Sequence, residues 1–416
     1  MGLFIKKSVL TATILLVACS VAEAQLGKRI MGKVAQTANE KLTSASANAS
    51  ASVAADPGVG LRADGAVYYV SIERGSARAE GSKDAPMKDI QKAIDQAADG
   101  DLIRIAQGNY LGTLDRGWIQ IKDKYVSLEG GWNDDFTDRN PVKYITRIQP
   151  SAEQRGTIGQ GLLMIEATSN KSAQIIVDGL FFDLGLVHEY AKADPTDERF
   201  GCPEGCETGR IMPVGNPPNK TIRLIGGKMA GRLVIRNCMF LNASFNGIIM
   251  TNMGGAWEIS NNVFVSNLYA SCEINGGHQS TVDFHHNTVL FSWPTTKEME
   301  SMGYGYRFRN GADHNVHHNI FGCNNYGALD AGWDDSNLPA DKRKICSAYD
   351  NLFFMNKGDI VMAGTSGGKW LYVPAKRFDE VEMLTKYENN RELPASSAFK
   401  DVIDPAYLKG FASLKI

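Results

Sequence analysis

The sequence predicts an all-β solenoid, short parallel strands stacked coil on coil. Two observations predict it. An apolar-Asn unit recurs in five segments, "LVIRNCMFLN", "WEISNNVFVSN", "STVDFHHNTVLF", "GADHNVHHNIFG" and "SAYDNLFFMN". A helix-then-strand opening, "DAPMKDIQKAIDQAADGDLIRIAQGNY", precedes them. Aligned on one column, the units place Cys238, Asn262, Asn287, Asn319 and Asn351 at steps of 24, 25, 32 and 32 residues. Two residues on come Phe240, Phe264, Val289, Phe321 and Phe353, and three before come Ile235, Ile259, Phe284, Val316 and Ala348. One such unit cannot bury its own apolar face, whereas stacked units join these columns into a continuous core. Asn tolerates left-handed backbone at a turn, and its amide can bond its own image on the next coil. Ile175–Gly185, "IIVDGLFFDLG", reads as a looser, earlier copy.

The elements follow in chain order. Residues 1–24 read as an export signal: Lys6 and Lys7, an apolar run from Val9 to Ala18, then Ala22-Glu23-Ala24 before the cut. "LVAC" upstream is the rival reading, a lipobox that would make Cys19 a lipidated N-terminus and give the protein a membrane anchor. Either way the expected destination is outside the cytoplasm. Residues 25–63 are Ala/Ser-rich, with one short helix expected around Lys28–Leu42, and read as a flexible spacer. The solenoid is expected over residues 64–370. Ile90, Ala93, Ile94 and Ala97 recur at helical spacing up to Gly100, and "LIRIA" then alternates as a strand. Residues 371–416 are expected to form a C-terminal cap, with "RFDEVEMLTKYENN" helical on the spacing of Phe378, Val381 and Leu384. Open solenoid ends expose strand edges and need such covers.

The opening helix, strand and glycines resemble the N-terminal cap of the pectin-lyase-like superfamily. That resemblance implies a single-stranded right-handed parallel β-helix with a helical N-terminal cap. It also implies an asparagine stack, and a polysaccharide cleft on the strand that precedes each Gly-rich turn.

Bulk properties narrow the function. A net charge of -2 gives no general attraction to nucleic acid or anionic membrane. No internal apolar run is long enough to span a bilayer, and a monomer is expected. Six cysteines remain after the signal: Cys202, Cys206, Cys238, Cys272, Cys323 and Cys346. In an exported chain they suggest disulfides, with the pairing left open.

The column register fixes a third strand per coil, in "TIRLIGG", "GIIMTNMGG", "SCEINGG", "GYRFRNG" and "GALDAGW". Alternation turns Ile222, Leu224, Ile274, Phe308 and Leu329 inward. It turns Arg223, Thr251, Glu273, Asn275, Arg307, Arg309 and Asp330 outward on one face. With coils ~4.8 Å apart, Glu273 neighbours Arg307, and Asn275, Arg309 and Asp330 form a second group. Residues 187–220 and 292–304 are insertions along the same edge. The arginines suit carboxylate or sulfate groups, and Tyr304, Tyr306 and Trp333 offer rings for sugars. A solvated strand face needs polar residues in any case, so this row alone assigns no function.

"CEINGGHQSTV" followed by "YRFRNGADHNVHHNIF" resembles a segment of the chondroitinase B and alginate lyase family. Glu273 matches the second Glu of that family's calcium-binding Glu-x-Glu, and Arg309-Asn310-Gly311 its Arg-x-Gly. Ser271 replaces the first Glu, and His278 stands at the position of the Lys base. The resemblance implies a lyase or epimerase of acidic glycans. His278 would be the base, Arg309 and Arg307 would neutralise the developing anion, and calcium at Glu273 and Asn275 would be an alternative charge partner. Arg223, Asn275, Asp330, Tyr304 and Trp333 would hold substrate. Tyr306 is a weaker candidate for the leaving-group acid, because alternation turns it inward. A non-catalytic glycan-binding or envelope role is the alternative. The pairs His285-His286 and His317-His318 fall in one register and read as an ordered stack rather than a metal site. "NDDFTDRN" at 133–140 reads as a solvated turn.

Overall fold

In the computed structural model the described residues are 65–111, 119–150, 161–184, 190–192, 211–213, 223–276, 280–293, 303–309, 311–332, 345–363 and 370–394. The expected signal, spacer and Cys19 lie outside them, as do Cys202, Cys206, Ile222, His278 and Trp333. Gly58–Leu393 forms one compact unit; the other unit, Met1–Pro57 with Pro394–Ile416, lies almost wholly outside the described residues. Among the described residues no helix is long and apolar enough to cross a membrane.

The larger unit is a right-handed parallel β-helix. Each coil lays one strand in each of three sheets. One coil runs through Ala270–Gly276 in sheet 1, Ser280–His285 in sheet 2 and Thr288–Leu290 in sheet 3. Tyr304–Phe308 then returns to sheet 1 beside Ala270–Gly276. The predicted columns hold in register: Ile235 pairs with Ile259, Ile259 with Phe284, Phe284 with Val316 and Val316 with Ala348. The Phe column stacks through the interior, with ring centroids 4.6 Å apart for Phe240–Phe264 and 5.5 Å for Phe321–Phe353.

The asparagines form a ladder at the bend between sheets 2 and 3. Asn262 Nδ2 donates to Asn287 Oδ1 at 3.0 Å, Asn287 to Asn319 at 3.1 Å, Asn319 to Asn351 at 3.0 Å and Asn351 to Asn390 at 3.1 Å. The left-handed residue is not the ladder Asn but the one before it: Asn237, Asn261, His286, His318, Asp350 and Asn389 all have φ between 53° and 59°. That bend aims the next amide along the stack. A second ladder, not anticipated, lies five residues on, where the chain passes from sheet 3 to sheet 1. Asn267 Oδ1 accepts from the Ala243 amide, Asn324 Oδ1 from the Ser292 amide, and Asn356 Oδ1 from Asn324 Nδ2.

At the N-terminal end, Ile90–Gln96 is helical, as its spacing predicts. Asp89 accepts from the Lys92 amide at its start, and Ile90, Ala93 and Ile94 enter the core. The expected C-terminal helix is not formed. Ala375–Glu380 makes a 3-10 turn, and Val381 is already extended. Leu384–Lys386 and Arg391–Glu392 then pair in parallel with Cys346–Tyr349 and Leu352–Phe354. Phe378, Val381 and Leu384 are buried as their spacing suggests. Pairing with an open sheet edge gives this segment more than an isolated helix would, so the ladder runs on past residue 370. Cys238 and Cys272 are buried free thiols rather than disulfide partners, and Cys323 and Cys346 are buried as well. At 133–140, Asn133 Oδ1 accepts from the Thr137 and Asp138 amides, which makes the segment a side-chain-closed turn.

Candidate functional site

Sheet 1 carries the charged row, and its register corrects the expected grouping. Glu273 pairs with Arg307, and Arg307 with Asp330. Asp330 is therefore the partner of Arg307, not of Arg309. Nor is this row a solvated face: Glu273 is 2 % exposed, Asp330 1 % and Arg307 8 %. Alternation fixes the side of the sheet but not what lies over it. Here the cover includes Tyr269 and Tyr304, whose rings lie 5.0 and 4.9 Å from the Arg307 guanidinium carbon.

The buried charges are matched closely. Arg307 Nε donates to Asp330 Oδ2 at 2.6 Å, and its Nη1 donates to the Tyr269 hydroxyl at 2.6 Å and to Glu273 Oε2 at 3.2 Å. Arg309 Nε donates to Glu273 Oε1 at 2.8 Å. Burial pulls the Arg307 guanidinium down, but Asp330 and Glu273 outweigh it and hold the group above its ordinary value. Both Glu273 oxygens thus face guanidinium groups. This departs from the expected calcium site at Glu273 and Asn275, because two adjacent cations oppose a third. Ser271 does not supply a ligand in place of the missing Glu: it is fully buried, and its hydroxyl contacts Ser292 at 3.0 Å. Among the described residues no three or more His, Cys, Asp or Glu side chains gather as one metal cage.

Arg223 approaches from two coils away. It lies across two glycines: a Cβ on Gly226 would sit 2.2 Å from Arg223 Cδ, and one on Gly161 3.2 Å from Arg223 Cγ. The bare backbone leaves a lane along which this side chain reaches towards Glu273. Burial lowers the Arg223 guanidinium from its ordinary value, while Glu273 acts in the opposite direction. Its Nε has no hydrogen-bond partner among the described residues, and neither has Oδ1 of the fully buried Asn246. Asn246 Nδ2 faces Glu273 Oε2 at 3.5 Å. Among the described residues, Arg307 and Arg309 pair with Glu273 and Asp330 while Arg223 reaches towards Glu273, so three guanidinium groups share two carboxylates, with two unsatisfied polar atoms beside them.

The other expected residues divide. Asn275 and Thr251 are paired on adjacent strands and half-buried, on the same side of the sheet as Glu273. Tyr304 is 3 % exposed, packed against Arg307, and offers no open ring to a sugar. Tyr306 faces the core, and its hydroxyl meets His314 Nδ1 at 2.8 Å. Burial raises that hydroxyl well above its ordinary value, so Tyr306 is not placed as a leaving-group acid. Three contributors were not anticipated. His314 Nε2 meets the Arg309 carbonyl at 2.7 Å and holds the backbone that carries Arg309. Phe245 and Tyr269 stack with centroids 4.5 Å apart, half-buried, next to the charges. Each follows a second-ladder position by two residues (Ala243 and Asn267), so the second ladder was the signal that would have found them.

No protein-family model and no curated protein sequence matches the chain. Among solved structures it is similar to XylC in complex with xylose, at 12% identity and a TM-score of 0.38, covering 71% of this chain and 65% of that one. It is similar to the pectate lyase Pel9A at 10% identity and a TM-score of 0.30, covering 79% of this chain and 77% of that one. A pectin methylesterase in complex with a hexasaccharide is similar at 11% identity and a TM-score of 0.30, covering 82% of this chain and 97% of that one. These are likenesses of fold.

Proposed function

We propose that the sheet 1 face around Arg309 binds an acidic polysaccharide. The observation that carries this is the sharing of Glu273 and Asp330 by three guanidinium groups, with Arg309 side-chain exposure of 29% and an Arg223 Nε that lacks a partner among the described residues. A uronate carboxylate would match the planar fork of the partly exposed Arg309. Arg307 is enclosed, and in this reading it positions Glu273 and Tyr269 instead of touching substrate. The half-buried Phe245–Tyr269 pair would take the apolar face of a sugar ring.

The finer reading is a uronate lyase or epimerase. Such an enzyme removes the proton next to a carboxylate, and Arg309 would neutralise the charge that then develops. His278, in the three-residue connection between Gly276 and Ser280, would be the base. The test uses alginate, pectate and glycosaminoglycan beside neutral glycans. It follows binding, unsaturated-uronate absorbance and uronate configuration. Selective binding of the acidic polymers, weakened in Arg309→Ala, is expected. Formation of unsaturated or epimerised uronate that is lost in His278→Ala supports turnover. Equal binding of neutral and acidic glycans overturns the proposal.

A further inference from the structure

The histidine pairs lie on sheet 2, away from this site, and they stack as the register predicts. His285 lies parallel to His317 with centroids 5.1 Å apart, and His286 to His318 at 5.0 Å. Within each coil the contact is different. His285 Nδ1 lies 2.8 Å from His286 Nδ1, and His317 Nδ1 2.8 Å from His318 Nδ1. Three of the four far nitrogens lie near carboxylates, one of them within hydrogen-bond distance. His317 Nε2 meets Asp283 Oδ1 at 2.8 Å, His285 Nε2 lies 3.7 Å from Glu258, and His318 Nε2 lies 3.8 Å from Asp350.

For His317 this is the arrangement that an outer carboxylate gives to a metal-binding imidazole, where the far N–H is engaged and the near nitrogen presents its lone pair. A proton on His317 Nε2, donated to Asp283, leaves Nδ1 of the neutral ring as an acceptor. His318 Nδ1 then carries the proton between them. A metal ion can replace that proton, which moves to His318 Nε2 on the Asp350 side, so the charge of the protein is unchanged.

The spacing, set by the shared proton, lies closer to one metal geometry than to another. Two bonds of about 2.0–2.1 Å separate their nitrogens by roughly 2.9 Å at a right angle, and by about 3.4 Å in a tetrahedron. The 2.8 Å held by the hydrogen bond is nearer to adjacent corners of a square plane, the preference of Cu(II) and Ni(II), than to those of a tetrahedron. Imidazole donors and the order of divalent affinities favour copper of the two.

We propose that each His-His pair is a two-nitrogen binding site for Cu(II), with water completing the plane. His286 and His318 are exposed, so an ion reaches both pairs from solvent. The second ion binds more weakly, because it enters about one coil spacing from the first.

The chain's own repeats supply conservative variants. At the left-handed position of His286 and His318, other coils carry Asn237, Asn261 and Asn389. His286→Asn with His318→Asn therefore keeps the bend. At the position of His285, the preceding coil carries Ser260, which makes His285→Ser with His318→Asn a second variant should the first fold poorly. The measurement is Cu(II) titration by calorimetry, with electron paramagnetic resonance to count in-plane nitrogens. The wild-type protein is expected to bind its first ion at least ten-fold tighter than either double variant, with two imidazole nitrogens in the plane. An unchanged isotherm in folded double variants, or a spectrum without coupled nitrogens in the wild type, overturns the proposal.

Discussion

Replacing Asn319 by Ala tests how far the asparagine ladder holds the coils together. Its side chain is 1 % exposed and makes four hydrogen bonds. Oδ1 accepts from the Asn287 amide at 2.9 Å and from Asn287 Nδ2 at 3.1 Å, while Nδ2 donates to the Phe284 carbonyl at 2.9 Å and to Asn351 Oδ1 at 3.0 Å. Asn351 Oδ1 keeps the Asn319 amide as a donor. The Asn287 amide, one hydrogen of Asn287 Nδ2 and the Phe284 carbonyl lose these contacts. Each buried orphan costs about 1–3 kcal/mol; at the lower end of that range, the three together cost on the order of 3–5 kcal/mol. That is a large part of ordinary domain stability, about 5–15 kcal/mol. Asn390, at the half-buried end of the ladder, is the control, because its removal opens the last Asn351 and Ala348 contacts to water. Urea unfolding should place Asn319→Ala several kcal/mol below wild type and Asn390→Ala about 1 kcal/mol below, with unchanged denaturant slopes. Equal losses in the two variants, or less than about 1 kcal/mol for Asn319→Ala, would refute the reasoning.

Three further outcomes follow. Burial raises the Asp359 carboxyl from 3.8 to about 7; the folded protein then binds the extra proton, so this group's contribution to stability falls as pH rises from about 4 to 7 and levels off above. The full difference is about 4 kcal/mol, and Asp359→Asn should flatten that part of the stability-pH curve measured by chemical unfolding. Gly226→Ala places a Cβ against the Arg223 side chain; it should displace that flexible group and weaken oligouronate binding while the unfolding midpoint changes little. Asp330→Ala leaves the enclosed Arg307 without its 2.6 Å partner, and thermal or urea unfolding should show a loss of about 3–5 kcal/mol.

The repeat was legible because its asparagines are spaced by the geometry of the coil, and each has a large apolar residue, Phe or Val289, two residues on. The second ladder was hidden because Ala243 and Ser292 interrupt the asparagine column, and with it went the Phe245–Tyr269 pair. The left-handed bend was assigned one residue late, since both residues of "NN" and "HN" suit it. Side-chain alternation put Glu273, Arg307 and Asp330 on one side of sheet 1 but could not show that aromatic rings cover them. The C-terminal spacing of Phe378, Val381 and Leu384 is shared by a helix and by a 3-10 turn that leads into a strand; only the open sheet edge decides between them.

The most direct test of the proposed site is a crystal structure of the protein with a bound uronic-acid oligosaccharide. The expected result is a sugar carboxylate within hydrogen-bond reach of Arg309 and Arg223 on sheet 1, with a ring against Phe245 or Tyr269. An oligosaccharide seated on sheet 2 or sheet 3, with Arg223 and Arg309 untouched, would contradict it.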